Sequence, residues 1–273
     1  MQQSKGIGHK KETFMTGHYS KTEHQYILLT SESASFDHYS VYRDPQLPQI
    51  FSHNFVQLHD TFPLERLLNF LPSVPKLLDA NYLHLKASPQ HVFPLGLKQS
   101  LVKSGFVVED ELLYDMKLSD WKGQMGHPLT AWGTAKSLSD GSSIMKIYDS
   151  IYIGEAIAEQ KLKRKYPFYE ADIIILVVCY SDQAQKVPIG CGELFIDHQE
   201  KTAKIEEVAI LDQFQRKGYG SILVKEMLSI AKSLGMEAAY LVAASTDGAT
   251  QFYEKLTFKK YERVHTVFHY FLT

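Results

Sequence analysis

The stretch Ile205-Glu206-Glu207-Val208-Ala209-Ile210-Leu211-Asp212-Gln213-Phe214-Gln215-Arg216-Lys217-Gly218-Tyr219-Gly220-Ser221 decides the reading of this chain. It starts as a strand, because Ile205, Val208, Ala209, Ile210 and Leu211 are apolar and mostly favour extended backbone. A polar turn follows. Gly218 and Gly220 then open a helix carrying Ile222, Leu223, Met227, Leu228, Ile230, Ala231 and Leu234 at near-helical spacing, with Gly235 placed to stop it. The first N–H groups of a helix have no intrahelical partner, and the helix dipole adds partial positive charge there. Glycines let that backbone approach a phosphate closely, and Arg216 and Lys217 bring two full charges to the same place. A strand running through such a loop into a helix reads as a phosphate-binding device.

The loop lacks the Gly-x-x-x-x-Gly-Lys-Ser/Thr of a nucleotide P-loop and the three-glycine dinucleotide fingerprint. Gln215-x-x-Gly218-x-Gly220 after Val208-Ala209-Ile210 instead resembles the acyl-CoA signature of GNAT-superfamily N-acetyltransferases. A second run, Ala249-Thr250-Gln251-Phe252-Tyr253-Glu254-Lys255-Leu256-Thr257-Phe258, resembles the late helix of that family, and the order and separation of the two motifs agree with it. Two positions depart: Thr246 stands where the family commonly has Asn, and Thr257 where it has Gly.

The resemblance implies an α/β (α+β) fold for residues 129–273, the mixed, mostly antiparallel acyl-CoA N-acyltransferase fold. Chain order agrees. Asp172 to Tyr180 reads as a strand apolar on both faces, followed by strands over Val187–Asp197 and Ala203–Leu211, then helix, strand (Glu237–Ala244), helix and a final hairpin. Upstream, Leu129 to Leu138 reads as the first strand, and Gly141 to Tyr166 as two helices or one interrupted helix. Ile144, Ile147, Tyr148, Ile151 and Tyr152 share one face there, and the resemblance makes these helices a wall of the acceptor site.

Residues 1–21 are polar and basic and read as a loosely held tail. Residues 22–118 read as a smaller α/β domain, with short strands near Tyr26–Leu29, Asp37–Tyr42 and His53–Asp60 and a helix over Leu64–Leu78 that Pro72 and Pro75 interrupt. A strand at Tyr82–Lys86, a helix at Phe93–Lys103 and a hairpin over Val107–Leu118 complete it. Leu101-Val102-Lys103-Ser104-Gly105-Phe106 echoes Tyr253 to Phe258, so this domain reads as a degenerate half of the same fold, without a glycine loop and with Leu101 in the place of Tyr253. Helix–turn–hairpin units also arise in unrelated folds. Residues 119–128 read as the linker.

The chain has 273 residues, an ordinary apolar fraction of 44% and a formal net charge of −2, so no broad attraction to nucleic acid or anionic membrane is expected. Twelve histidines are scattered without metal-ligand spacing, and the two cysteines, Cys179 and Cys191, lie in strand-like runs and read as buried apolar residues. Neither has an evident base beside it, which disfavours a covalent route. No apolar run spans a bilayer and no secretory leader is seen, so a cytoplasmic location is expected. Oligomeric state is not readable.

For function, the resemblance implies acetyl-CoA as cosubstrate and direct transfer of the acetyl group to a primary amine of a small-molecule or peptide acceptor. Backbone groups of Val208 and Ile210 would pair with the pantetheine arm, and an N–H near Ala209 or Ile210 would polarise the thioester carbonyl. N–H groups from Gln215 through Tyr219 and Gly220 to Ser221 would hold the pyrophosphate, with Arg216 or Lys217 screening its charge; Thr246 and Phe252 are the remaining cofactor contacts. Tyr253 matches the family's general acid. Glu206 and Glu207 are the candidate bases. Neighbouring strand residues point oppositely, so only one of them should face the site, and Glu206 shares parity with Val208 and Ile210 unless a bulge reverses the choice. Glu193 on the neighbouring strand is a further candidate. The rival functions are a non-catalytic acyl-CoA sensor and a tandem-domain aminoacyl transferase using charged tRNA.

Overall fold

The computed structural model describes residues 12–272 apart from 89, 186, 247 and 249. The chain begins with helix α1 (Glu12–Leu28) and strands β1 (Glu32–Ser35), β2 (Tyr39–Arg43) and β3 (Phe55–Leu58). Short helices α2 (Leu67–Phe70) and α3 (Val74–Leu78) lead to β4 (Tyr82–Ala87), α4 (Leu95–Lys103) and β5 (Val107–Lys117). Pro72 and Pro75 account for the interruption between α2 and α3, where a single 3₁₀ turn intervenes. The second half runs β6 (Thr130–Ala131), α5 (Ala135–Ile153), α6 (Glu155–Glu170), β7 (Ile174–Tyr180), β8 (Pro188–Asp197), β9 (Thr202–Ile210), α7 (Tyr219–Ser233), β10 (Ala238–Ala244), α8 (Thr250–Lys255) and β11 (Lys259–Phe271).

All described strands belong to one sheet, in the order β1-β2-β3-β4-β11-β5-β10-β9-β8-β7-β6. Its pairs are antiparallel except two: β3 with β4 (Val56↔Leu85) and β9 with β10 (Ala203↔Ala239). Each parallel pair is followed by the last strand of the other half. β11 lies on β4 (Val267↔Lys86) and β5 lies on β10 (Glu111↔Ala244), while β5 and β11 pair with each other at the centre (His265↔Glu111). The two halves are therefore joined by strand exchange into one continuous surface.

On one face α7 and α8 cover β5 and β7–β10 around a core that includes Val177, Leu194, Ile205, Leu223, Met227 and Leu241. The helices α2–α4 cover the N-terminal strands around Leu58, Leu67, Leu85 and Phe268. On the other face α1, α5 and α6 pack, with Tyr26, Ile144, Met145, Tyr169 and Leu176 among the buried residues.

Several expectations are corrected. The tail reading fails from Glu12 onward: Tyr19, Thr22, Glu23 and Tyr26 form an i, i+3, i+4, i+7 stripe that ties α1 to the sheet through Asp115, Asp197, Lys204 and Glu193. Each partner is a polar group far away in sequence, so no apolar periodicity announced this helix. Residues 1–11 lie outside the described residues. The same helix replaces the strand expected at Tyr26–Leu29. The hairpins expected at 107–118 and 259–272 are single long strands, because each finds its partners in the other half rather than in itself. The first strand of the second half is only Thr130–Ala131, since Thr134 and Ser137 form a capping box that starts α5. Residues 119–128 are clamped onto α7: Glu226, 3% exposed, accepts the N–H of Gly126 (2.8 Å) and of His127 (3.2 Å), and Trp121 Nε1 donates to Ser229 (2.9 Å). No described helix is long and apolar enough to cross a membrane.

Candidate active site

The site is built where β9 leaves β10. The parallel ladder between them covers Thr202–Lys204 only, so from Ile205 onward the β10-facing edge of β9 has no ladder partner. The N–H of Leu211 donates to Ile189 on the β8 side (2.9 Å). By the two-residue period of a strand, the N–H of Ala209 also turns towards β8, while those of Val208 and Ile210 turn into the gap. Of the two sequence candidates for polarising a carbonyl, Ile210 is thus on the correct edge and Ala209 is not. The carbonyl of Ile210 accepts from Gln215 Nε2 (3.0 Å).

A β-bulge interrupts β9 in the middle of this edge. Ladder partners step from Glu193↔Glu206 to Cys191↔Ala209, so Glu207 and Val208 together oppose Gly192, and Glu207 has φ of 52°. This extra residue corrects the expectation that the two neighbouring glutamates point to opposite faces. Glu206 meets Lys204 (2.6 Å), and Glu207 meets Lys161 (2.7 Å) and Lys165 (3.5 Å), all on the face that α1, α5 and α6 cover. Burial raises the Glu206 carboxyl above its ordinary range, with Lys204 opposing and Glu23 adding to the rise. Burial acts the same way on Glu207, but Lys161 and Lys165 outweigh it and hold that group well below the usual range. Glu206 is consequently the more basic of the two. Glu193 is not a free base: it is fully buried, accepts from Lys165 Nζ (2.7 Å) and takes the Tyr169 hydroxyl at 2.5 Å.

At the mouth of the gap, a 3₁₀ turn over Asp212–Phe214 leads to Arg216 and Gly218, both left-handed at φ 59° and 90°. No side chain caps α7 at Gly218, so its first N–H groups are left to a ligand or solvent. Gln215 is a brace rather than a contact: its N–H donates to Asp212 O (3.1 Å), and its side chain to Ile210 O and Asp212 Oδ1 (2.9 Å). Arg216 is exposed, and Lys217 folds onto the loop, donating to Gln213 O (2.8 Å). Tyr219, Gly220 and Ser221 form the first turn of α7. A Cβ at Gly220 would stand 3.4 Å from the Phe252 ring, so α8 packs on the loop at ordinary van der Waals distance. The next residue, Tyr253, is buried with its ring 5.8 Å from that of Tyr114 and 5.9 Å from that of Phe258. Thr246 is exposed, with its hydroxyl 3.4 Å from Glu109. Thr257 takes the left-handed turn (φ 68°) that glycine would occupy without strain.

Both cysteines are buried free thiols, and burial pushes Cys179 up to about 12 and Cys191 well above its ordinary value, which makes neither a thiolate nucleophile. Among the described residues no group of histidine, cysteine and carboxylate side chains is arranged for a metal ion. A depression of about 510 Å³ opens between α7, the end of α8 and the 121–127 segment, lined by Trp121, His127, Ile222, Lys225 and Lys255 among others. Sequence reasoning did not find Lys161, Lys165 or Lys204, the three buried ammonium groups that set the state of the glutamates. Their only signal, a Lys161–Lys165 spacing of one helical turn, also suits an ordinary solvated face.

Residues 142–258 match the family described as the acetyltransferase (GNAT) family. Among solved structures, the chain is similar to a functionally unknown conserved protein from Staphylococcus epidermidis, with 17% identity, a TM-score of 0.69 and coverage of 90% of this chain and 95% of that one. It is also similar to GCN5-related N-acetyltransferases from Kribbella flavida (14% identity, TM-score 0.61, 93% and 94% covered) and Sphaerobacter thermophilus (10% identity, TM-score 0.56, 86% and 81% covered). At such identities the likeness speaks for the fold, and it extends over both halves of the chain.

Proposed function

We infer acyl transfer as the general activity of this chain from the match of residues 142–258 to the GNAT acetyltransferase family. Our finer reading is an N-acetyltransferase that moves an acetyl group from acetyl-CoA directly to a primary amine. The observation that carries it is the unpaired edge of β9 beyond Lys204, ending at an uncapped helix start with two left-handed residues before it.

The residues fit an acyl-CoA. Val208 and Ile210 offer backbone groups to an extended pantetheine arm as an added strand would. The first turn of α7, from Tyr219 to Ser221, offers N–H groups to a pyrophosphate, and Arg216 adds charge. Lys225 and Lys255 border a depression large enough for the nucleotide end. The thioester, when bound, supplies the activated acyl group. The N–H of Ile210 stabilises negative charge on its carbonyl oxygen, a contribution of about 3 kcal/mol in comparable sites. Tyr253 gives a proton to the departing sulfur, and Glu206 is the carboxylate best suited to accept one during attack.

Calorimetry with acetyl-CoA and with free CoA tests the binding half; absence of heat and of competition would sink the reading. Turnover with a panel of primary amines tests the rest, with Tyr253→Phe expected to lower kcat on the order of 10²-fold while leaving acetyl-CoA affinity unchanged. One observation favours a non-catalytic acyl-CoA binder: Glu206 and Glu207 are both engaged by lysines. Binding without turnover for any amine would decide for it.

A further inference from the structure

Helix α1 reaches the residue assigned above as the proton acceptor. Lys204 and Glu206 stand two positions apart on β9, ahead of the bulge, and so share the strand face that α1 covers. The helix closes over them with Glu23 and Tyr26, which are three residues apart and lie on one helix face. Lys204 Nζ donates to Glu23 Oε2 (2.8 Å), and it lies 2.7 Å from Glu23 Oε1 and 2.6 Å from Glu206 Oε1. The Tyr26 ring faces the same ammonium, with its centroid 4.4 Å away. The Lys204 side chain is 5% exposed, against 23% for Glu23 and 28% for Glu206, so the cation is sealed in while both carboxylates keep contact with solvent. One buried ammonium is therefore divided between a carboxylate of the amino-terminal helix and a carboxylate of the strand that borders the gap.

That division decides how firmly Glu206 is held in its charged form. An ammonium beside a carboxylate favours ionisation, and a second carboxylate on the same ammonium works against it. Glu207 touches two ammonium groups, Lys161 and Lys165, whereas Glu206 touches one, and that one is shared with Glu23. The directions of the two carboxyls follow this difference: burial acts upward on both, lysines overcome it at Glu207, and at Glu206 the single lysine does not. The other titratable groups around Glu206 are Glu207 on its own strand, Glu193 opposite it on β8, Tyr26 on α1 and Tyr240 on β10. Lys161 and Lys165 of α6 and Asp149 of α5 reach the cluster through Glu207 and Glu193. Among these groups Glu23 alone comes from the amino-terminal helix and also holds the cation that Glu206 depends on.

Resting on the amine-acetyltransferase reading above, in which Glu206 accepts a proton from the acceptor, we propose that Glu23 is a positioning residue for the reaction: by holding Lys204 with its own carboxylate, it keeps Glu206 from being tied up in a full ion pair and leaves it a competent proton acceptor. Glu23 does not touch the reacting atoms. It acts through Lys204, and the amino-terminal helix thereby belongs to the machinery of the second half of the chain. The sign of its effect follows from charge alone. Without the Glu23 charge, Lys204 serves Glu206 only, the ionised form of Glu206 gains, and the group loses its proton at lower pH. It then also takes a proton from an ammonium less readily, because a weaker base is a poorer acceptor.

The test uses Glu23→Gln in the full chain, a change that keeps the shape of the side chain and leaves Lys204 paired with Glu206, so no buried charge is stranded. Two midpoints are read. The first is the titration of the Glu206 carboxyl by NMR in protein labelled with ¹³C at glutamate carboxyls, the signal being identified by its loss in Glu206→Gln. The second is the acid side of the pH profile of kcat/KM with acetyl-CoA and benzylamine. Both should move down by about one pH unit in Glu23→Gln, and the plateau of kcat/KM should fall about threefold. Thr22→Val removes a neighbouring anchor of α1, the bond from the Thr22 hydroxyl to Asp197 (2.8 Å), and should lower the urea midpoint while leaving both pH midpoints in place. An unmoved Glu206 titration in Glu23→Gln would overturn the proposal, as would an equal shift in Thr22→Val, which would assign the effect to helix docking. A Glu206 titration that moves while the rate profile stays would overturn it too, since Glu206 would then not be the acceptor. If benzylamine is not acetylated although calorimetry shows acetyl-CoA binding, the proposal falls and the carrier site stands. If acetyl-CoA does not bind, the functional reading itself falls and takes the proposal with it.

Discussion

Phe268 stands five positions from the C-terminal residue of the chain, yet its side chain is fully buried in the core of the N-terminal half. It pairs with Leu85 on β4 and Val108 on β5, and its ring meets Phe93 edge-on with centroids 5.0 Å apart. Replacing it by alanine removes a completely buried ring from between β-sheet and α4, which costs ~3–5 kcal/mol by the usual transfer and cavity terms. At ~2–4 °C per kcal/mol for a protein of this size or slightly smaller, Phe268→Ala should lower the melting temperature by roughly 10 °C. The location of the damage is the informative part. Because β11 completes the N-terminal strands, hydrogen exchange read by mass spectrometry should accelerate in β4 and α4, more than 150 residues away in sequence. Loss of protection confined to β10 and β11, with β4 and α4 unchanged, would refute the exchange of strands.

Three further outcomes are expected. Lys165→Met should cost about 3–5 kcal/mol in urea unfolding, since it strands the fully buried Glu193 carboxylate, and the double variant Lys165→Met/Glu193→Gln should be more stable than that single one; additive losses would contradict this. Burial, assisted by Lys165 and Lys86 respectively, pushes the His53 and His84 imidazoles down to about 3. Their unfolded forms take a proton below about 6.5 while the folded forms do not, so the stability they confer is complete above that pH and is lost as pH falls towards 3, with about 2 kcal/mol per histidine gone at pH 5. Urea midpoints at pH 7.5 and 5.0 read this directly, and His53→Asn should show a smaller difference between them. Thr257→Gly should stabilise the chain by roughly 1 kcal/mol, because the left-handed backbone at φ 68° strains threonine and not glycine; a destabilised variant would show that the threonine side chain makes up for the strain.

What the sequence determined by itself is local. The glycine loop, the stripe of α7, the buried run of β7 and the motif at α8 follow from side-chain period and from backbone freedom at single residues, each within one short run of the chain. The Tyr253 position and the loop at Gly218 were legible for that reason. What the tertiary structure alone decided is which elements meet. A period of two tells which residues share a strand face but nothing about the neighbouring strand, so two central strands looked like local hairpins although each completes the other half of the sheet. The bulge that turns both Glu206 and Glu207 to one side arises from pairing with β8, and the lysines that hold Glu207 charged, Lys161 and Lys165, come from α6. Lys86, Glu111 and His265 lie 25 and 154 positions apart along the chain and become neighbours only because β4, β11 and β5 are adjacent. Such pairings are fixed by the burial of whole faces, a property of the folded sheet and of no short segment within it.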